Sequence, residues 1–147
     1  EDLNILHELI HSSTRVAYIH DCLYYYFINP AGVISTLTVQ KEYDHFMAWH
    51  RRRSFLKKFY PDLADYTYEL FTYCGTRYYW LSRYCRDKKA AQEVRAMLKS
   101  EAVKIIKSPF VRIKNKMRLL EVLLNINLYR FYIPKAIRNG IESIVDK

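Results

Sequence analysis

The stretch YPDLADYTYELF, residues 60–71, sets the helical architecture of the chain. Pro61 cannot continue a preceding helix but suits the first turn of a new one. Asp62 is well placed to stabilise the N-terminus of that helix. We therefore predict that one helix ends just before this stretch, over about 38–59, and that a second begins in it and runs to about Arg86.

Hydrophobic spacing predicts further helices in the second half of the chain. Residues 88–107 have the pattern of a basic amphipathic helix, whose apolar side consists of Val94, Met97, Leu98 and Ile105. The sequence SPF breaks it, a helix over 111 to about 131 follows, and IPKAIRNGIESIV, residues 133–145, predicts a short last helix. Half of the residues are hydrophobic and only 3 Gly and 4 Pro interrupt them, which disfavours disorder and a turn-rich β fold.

The first 36 residues have a different character. Residues 1 to about 13 predict a helix, because Leu3, Leu6, Leu9 and Ile10 recur at helical spacing. VAYIH and CLYYYFI are short, aromatic and β-branched, so they predict two strands, and NPAG predicts a turn after them. Two strands do not form a stable sheet alone, so we expect a partner sheet in sequence preceding Glu1.

These patterns predict a mainly α fold in two parts. Residues 1–36 form a small α/β edge of one helix and two short strands, and residues 37–147 form a bundle-like helical extension. Three well-separated cysteines without a CxxC pair favour a reducing, cytosolic setting over a disulfide framework. Exposed strand edges favour a homodimer of the isolated chain.

One segment carries nearly all of the +9 net charge. Between Arg86 and Arg118, 11 Lys or Arg face 3 Asp or Glu, while the rest of the chain has 13 against 12. Such a segment favours anionic partners. Its candidate anion-binding residues are Lys88, Lys89, Arg95, Lys99, Lys104, Lys107, Arg112, Lys114, Lys116 and Arg118.

The basic segment is compatible with more than one kind of structure and partner. Cations interleaved with apolar residues are typical of helices on an anionic membrane, and equally of a soluble pair of basic helices. Basicity without a recognisable reader motif does not favour nucleic acid. No apolar run is long enough to span a bilayer, so a membrane role would be peripheral.

Four motifs in order carry a family resemblance. The chain begins ED-L-x-x-L-x-x-L, continues with VAYI and LYYYFINPAGVIS, and later contains FYPDL. This order resembles the C-terminal portion of bacterial family 2 glycosyltransferases, inverting GT-A enzymes of surface-polysaccharide synthesis. The likeness is good over residues 1–36 and looser beyond. Phe27 stands where the family commonly has Arg in YYYR.

The resemblance implies roles for individual residues. Asp2, the second acid of the pair, would be the general base that deprotonates the acceptor hydroxyl, with Glu1 as its neighbour. Tyr26, and either Ser35 or Thr36, would lie at the substrate or in the loop beside it. A full-length parent would bind a nucleotide sugar and a glycan or lipid-linked acceptor, and would hold a Mn or Mg ion through a D-x-D-like motif. It would meet a lipid-linked acceptor at the inner face of the plasma membrane. This chain has no such motif, so we expect it to be inactive alone and to hold no cofactor.

Two other patterns have competing interpretations. HELIH, residues 7–11, matches the zinc-protease motif, which needs a third ligand that only His20, His45 or His50 could supply. RRRSFLKK, residues 51–58, is either a solvated helix face or a site for phosphate or lipid headgroups. The rival function, based on the basic segment 86–118, is a non-enzymatic helical module that binds an anionic membrane surface or a partner.

Overall fold

The structure, a computed structural model, describes residues 2–21 and 38–126. Along these residues the chain forms α-helices and one 3₁₀ turn, Asp65–Thr67. The helices are α1 (Asp2–Ser12), α2 (Val39–Phe59), α3 (Pro61–Ala64), α4 (Tyr68–Tyr84), α5 (Lys88–Lys107) and α6 (Ile113–Leu124).

The helix boundaries follow from local capping chemistry. Thr38 accepts a hydrogen bond from the backbone N–H of Lys41, and Asp87 accepts one from Ala90, so α2 and α5 each begin at a capping side chain. No side chain of its own residues caps α6. Instead, Glu69 of α4 accepts hydrogen bonds from the backbone N–H of Arg112 and from Asn115, both at 2.9 Å.

Helix α4 lies at the centre of the molecule and contacts α2, α5 and α6. Ten of its residues are buried, including Phe71, Tyr78 and Tyr79. Contacts near both ends of α4 show that α6 runs parallel to it and that α2 runs antiparallel to it. The shared core is completed by Phe46, Val94, Leu98, Ile105, Leu119 and Val122.

A glycine allows the closest approach among these helices. A Cβ atom at Gly75 would lie 2.9 Å from Cε2 of Phe46 and 3.0 Å from Cδ2 of Leu98. Both distances are shorter than ordinary van der Waals contact. The absence of a side chain at this position therefore lets α2 and α5 pack against the same turn of α4.

The mainly α prediction is confirmed, with two differences in the helical body. The predicted helix from Pro61 to about Arg86 is divided by the 3₁₀ turn into α3 and α4. The helix predicted over 111–131 ends at Leu124, because Asn125 adopts a left-handed conformation and the N–H of Ile126 bonds back to the carbonyl of Glu121. The predicted last helix over 133–145 lies outside the described residues.

The predicted α/β edge is only partly seen. Its helix is present as α1, but residues 16–20, predicted as the first strand, have no regular secondary structure. A strand needs a hydrogen-bonded neighbour, and the part of the chain that the structure describes supplies none to this segment. CLYYYFI and NPAG, residues 22–28 and 29–32, lie outside the described residues.

Candidate functional site

The predicted catalytic residue Asp2 opens α1. The backbone at this position is therefore helical and at a helix N-terminus, where a carboxylate is stabilised by the helix dipole. The side chain of Asp2 is outside the structural description, as are Glu1, Tyr26 and Ser35. Their assigned roles stay predictions from the resemblance.

Helix α1 packs on α2 through its histidines. His7 lies edge-on to the Phe55 ring with centroids 4.8 Å apart, and His11 lies 4.5 Å from Phe59. His11 Nδ1 is also 2.9 Å from the Tyr60 hydroxyl. Burial, and then the nearby Arg52 charge, lower the pKa of His7. Both histidines of the HELIH motif are thus engaged with aromatic groups, and in the described ranges no three metal-ligating side chains gather.

The apolar residues of α1 face away from the helical body. The sequence places Leu6, Leu9 and Ile10 on the side of α1 expected to be buried, yet each is about half exposed, at 49%, 54% and 50%. Val16 and Ile19 beyond the helix are exposed as well. This apolar surface lacks a covering element among the described residues.

The RRRSFLKK segment does not form one solvated face. Arg53 is only 2% exposed, and its guanidinium lies 3.5 Å from the centroid of the Tyr68 ring. It donates to the carbonyl of Ala64 at 3.0 Å and to Glu101 at 3.1 Å. Glu101 also pairs with Lys57. Arg53 therefore holds α2, α3 and α5 together, a role that the sequence pattern did not indicate.

Burial and charge within this network shift two pKa values in opposite directions. Burial alone would raise the pKa of Glu101, but the hydrogen bond from Lys57 and the charge of Arg53 outweigh it and lower that pKa. Burial raises the pKa of the Tyr68 phenol to about 12, against the opposing Arg53 charge. At neutral pH the cluster thus holds an ionised carboxylate and a neutral phenol.

At least three of the ten predicted anion-binding cations contact other groups of the protein. Arg95 donates to the carbonyl of Leu123 at 2.5 Å, and Arg112 pairs with Glu69. Arg118 donates to Asn115 and lies 5.5 Å from the Tyr73 ring. The prediction did not distinguish these cations from the rest, because Glu69, Tyr73 and the Leu123 carbonyl are distant from them in sequence.

Most of the other predicted cations are exposed on α5 and α6. Lys116 is partly exposed, and the exposed ones are Lys88, Lys89, Lys99, Lys104, Lys107 and Lys114. The apolar side predicted for α5 is confirmed, since Val94, Leu98 and Ile105 are buried and Met97 packs against the core. The lysines therefore lie away from the core, where an external anion could meet them.

Exposed apolar residues accompany these lysines. On α5, Val103 is 66% exposed and Ile106 is 40% exposed, and on the outer side of α6 Ile113 is 78% exposed. Met117, Leu120 and Leu124 extend that side at helical spacing. We call these six residues the outer stripe. On α5, the outer stripe is separate from the buried side that consists of Val94, Leu98 and Ile105.

Comparisons with protein-family models, with curated proteins and with solved structures find no match to this chain. Within residues 2–21 and 38–126, no helix is both long and apolar enough to cross a bilayer.

Proposed function

We propose that the chain is the C-terminal portion of an inverting family 2 glycosyltransferase. Residues 1–36 would be the end of its GT-A catalytic domain, with strands at 16–20 and 22–28 that pair with a preceding sheet. Residues 37–147 would be its helical extension. The parent would transfer a sugar from a nucleotide donor to a glycan or lipid-linked acceptor in surface-polysaccharide synthesis.

The uncovered apolar surface of residues 2–21 is the observation that carries this proposal. Leu6, Leu9 and Ile10 of α1 are about half exposed, and Val16 and Ile19 are more so, at 63% and 60%. Apolar residues at such regular spacing normally pack against another element. A missing sheet and its helices would cover them, as the order of the ED-L and VAYI motifs suggests.

The proposed chemistry assigns the proton transfer to Asp2. An inverting transfer requires the acceptor hydroxyl to attack the anomeric carbon opposite the departing nucleoside diphosphate. An ionised carboxylate can take the hydroxyl proton as the new bond forms. The helix N-terminus at Asp2 would keep that carboxylate ionised and oriented. The Mn or Mg ion would belong to the parent's nucleotide-binding half.

The proposal is tested by the coding sequence that precedes Glu1 and by binding. We expect that sequence to encode a nucleotide-binding half with a D-x-D-like motif, and the extended protein to bind one of the UDP-, GDP- or dTDP-sugars with manganese in calorimetry. The 147-residue chain alone should bind none of them. Saturable micromolar binding by the isolated chain, or an upstream sequence without such a half, would contradict the proposal.

A second candidate function is peripheral attachment to an anionic membrane, which also fits a non-enzymatic module. It is favoured by the outer stripe, whose α5 residues share that helix with the exposed Lys99, Lys104 and Lys107. Apolar insertion and attraction of lysines to anionic headgroups reinforce each other at a bilayer surface. In the proposed parent, this would hold the enzyme at the cytoplasmic face, near a lipid-linked acceptor.

Vesicle sedimentation tests this second function. The chain should bind vesicles containing phosphatidylglycerol more strongly than neutral ones, and high salt should weaken binding because exposed charges are screened. Replacing Val103 and Ile106 by Ser should reduce binding. Ile5 of α1 is 50% exposed, so Ile5→Ser serves as a control outside the outer stripe and should not reduce binding. Equal binding to neutral and anionic vesicles would contradict it. Gel filtration without lipid would show whether a homodimer covers the outer stripe instead.

A further inference from the structure

A cavity of about 340 Å³ opens at the turn between α4 and α5. Tyr79 and Arg83 of α4 lie one turn apart on one wall, and residues at the same helical spacing on α5 form the other. The volume is within the range of small-molecule sites. The polar residues that line it are Tyr79, Arg83, Arg86, Lys88, Gln92 and Arg95.

The lining of this cavity is strongly cationic. Arginine or lysine contributes four of its side chains, and no acidic residue is among the described residues that line it. The adjacent carboxylate of Asp87 is engaged at 2.9 Å with the backbone N–H of Ala90. Lys88 and Lys89 moreover begin α5, at the helix end where the dipole disfavours cations. This arrangement produces a concentrated positive potential that an anion would neutralise.

The backbone conformation of Arg86, which lines this cavity, is unusual. Its φ of 60° is left-handed, and the N–H of Asp87 bonds to the carbonyl of Ser82 while that of Arg86 bonds to Arg83. These bonds form the helix-ending motif in which this position is usually Gly. A non-glycine residue here is strained. The chain thus places a guanidinium at the cavity where a glycine would be favoured.

We propose that this cavity binds a terminal phosphate or diphosphate group, which nucleotide sugars do not present because both ends of their diphosphate are esterified. Arginine presents paired N–H donors that match phosphate oxygens, and lysine adds a point charge. Arg95 is held in place by its bond to the Leu123 carbonyl, and the Tyr79 hydroxyl by its bond to Asn125 at 2.8 Å, so part of the site is preorganised. The group could belong to a soluble molecule or to a lipid headgroup. The site does not depend on the proposed transferase activity.

Calorimetric titration of the full chain with inorganic pyrophosphate at low salt tests the site. We expect saturable binding that Arg83→Gln and Arg86→Gly each weaken by about tenfold or more, because each removes charge-assisted hydrogen bonds. Arg86→Gly should also raise the Tm or leave it unchanged, since Gly suits the left-handed position. This variant therefore separates loss of binding from loss of fold.

Lys104→Gln is the matched control. It removes one exposed cation of the same helix, about 24 Å along α5 from Lys88 at ~1.5 Å per residue. This variant should bind pyrophosphate as the unchanged chain does. The absence of saturable binding, normal binding by a folded Arg86→Gly protein, or equal weakening by Lys104→Gln would each overturn the proposal.

Vesicles distinguish the two sources of the phosphate. Phosphatidylcholine vesicles with and without phosphatidic acid are compared, with pyrophosphate as competitor. Binding to phosphatidic acid that requires Arg86 and is displaced by pyrophosphate would assign the site to a lipid phosphate. Pyrophosphate binding without such lipid binding would assign it to a soluble phosphate compound.

Discussion

At the scale of single residues, burial changes what a charged side chain does. Arg53 and Arg51 are neighbours in a run of three arginines, yet Arg53 is buried among four partners and Arg51 is exposed. The sequence contains no local sign of this difference, because the acceptors of Arg53 come from α3, the 3₁₀ turn and α5. The charge pattern alone therefore could not identify Arg53 as a structural residue.

We predict that Arg53→Met destabilises the protein by about 3 kcal/mol, because it removes one partner of a buried ion pair and the cation that stacks on Tyr68. Arg51→Met should change the free energy of unfolding by less than about 0.5 kcal/mol, as is usual for exposed positions. Urea denaturation of both variants measures the difference. Equal, small effects would show that the Arg53 network does not stabilise the fold.

Glu121, unlike Arg53, is a buried ionisable residue whose side chain has no hydrogen-bond partner in the described part of the chain, so burial disfavours its ionised form. It is 3% exposed, and neither carboxylate oxygen has a hydrogen-bond partner within the described part of the chain. Burial raises its pKa above the ordinary value of 4.5, with the charge of Arg118 as the opposing influence. The folded state therefore binds this proton more tightly than the unfolded state, so the contribution of Glu121 to stability falls as pH rises from 4.5 through the raised value.

Glu121→Gln should accordingly stabilise the protein at pH 7, by about 1 kcal/mol, since it removes a charge that burial disfavours. Below pH 4.5, where Glu121 is protonated, the two proteins should converge in stability. Thermal unfolding across this pH range tests the expectation. A variant that is less stable at pH 7 would mean that the ionised carboxylate is stabilised in the fold.

At the scale of elements, capping and packing determine where helices end and how closely they approach. Pro61, Thr38 and Asp87 mark boundaries that the sequence predicted well, because each acts on its own backbone. The end of α6 at Leu124 was missed, since it depends on the left-handed Asn125 and not on the apolar pattern that continues past it. The strand predicted at 16–20 needs a partner that local sequence cannot specify.

Gly75 tests the packing of the central helix. In an exposed helix Gly→Ala would stabilise by roughly 1 kcal/mol. At Gly75 the new methyl group would meet the Phe46 ring at 2.9 Å, so Gly75→Ala should instead lower the free energy of unfolding, by about 1 kcal/mol or more. Ser100→Ala, at an exposed position on α5, serves as the control. A more stable Gly75→Ala protein would show that α2 and α5 adjust freely around α4.

At the scale of the whole molecule, a helical body with α4 at its centre supports two surfaces with different chemistry. The outer stripe and nearby lysines lie on α5 and α6, whereas α1 presents uncovered apolar residues on a helix attached to α2. The mainly α class and the basic character of residues 86–118 could be predicted from composition and spacing. Which cations contact other parts of the protein could not be predicted, because contacts such as that of Arg112 with Glu69 join residues of distant helices.

The central claim, that α1 begins with a catalytic base, is tested most directly by Asp2→Asn in the full-length parent. Asn can still cap the helix, so the fold and donor binding should be nearly unchanged. Asn cannot accept a proton, so the rate of sugar transfer should fall by about 10²-fold or more. Near-normal transfer by a folded, donor-binding Asp2→Asn enzyme would contradict the account.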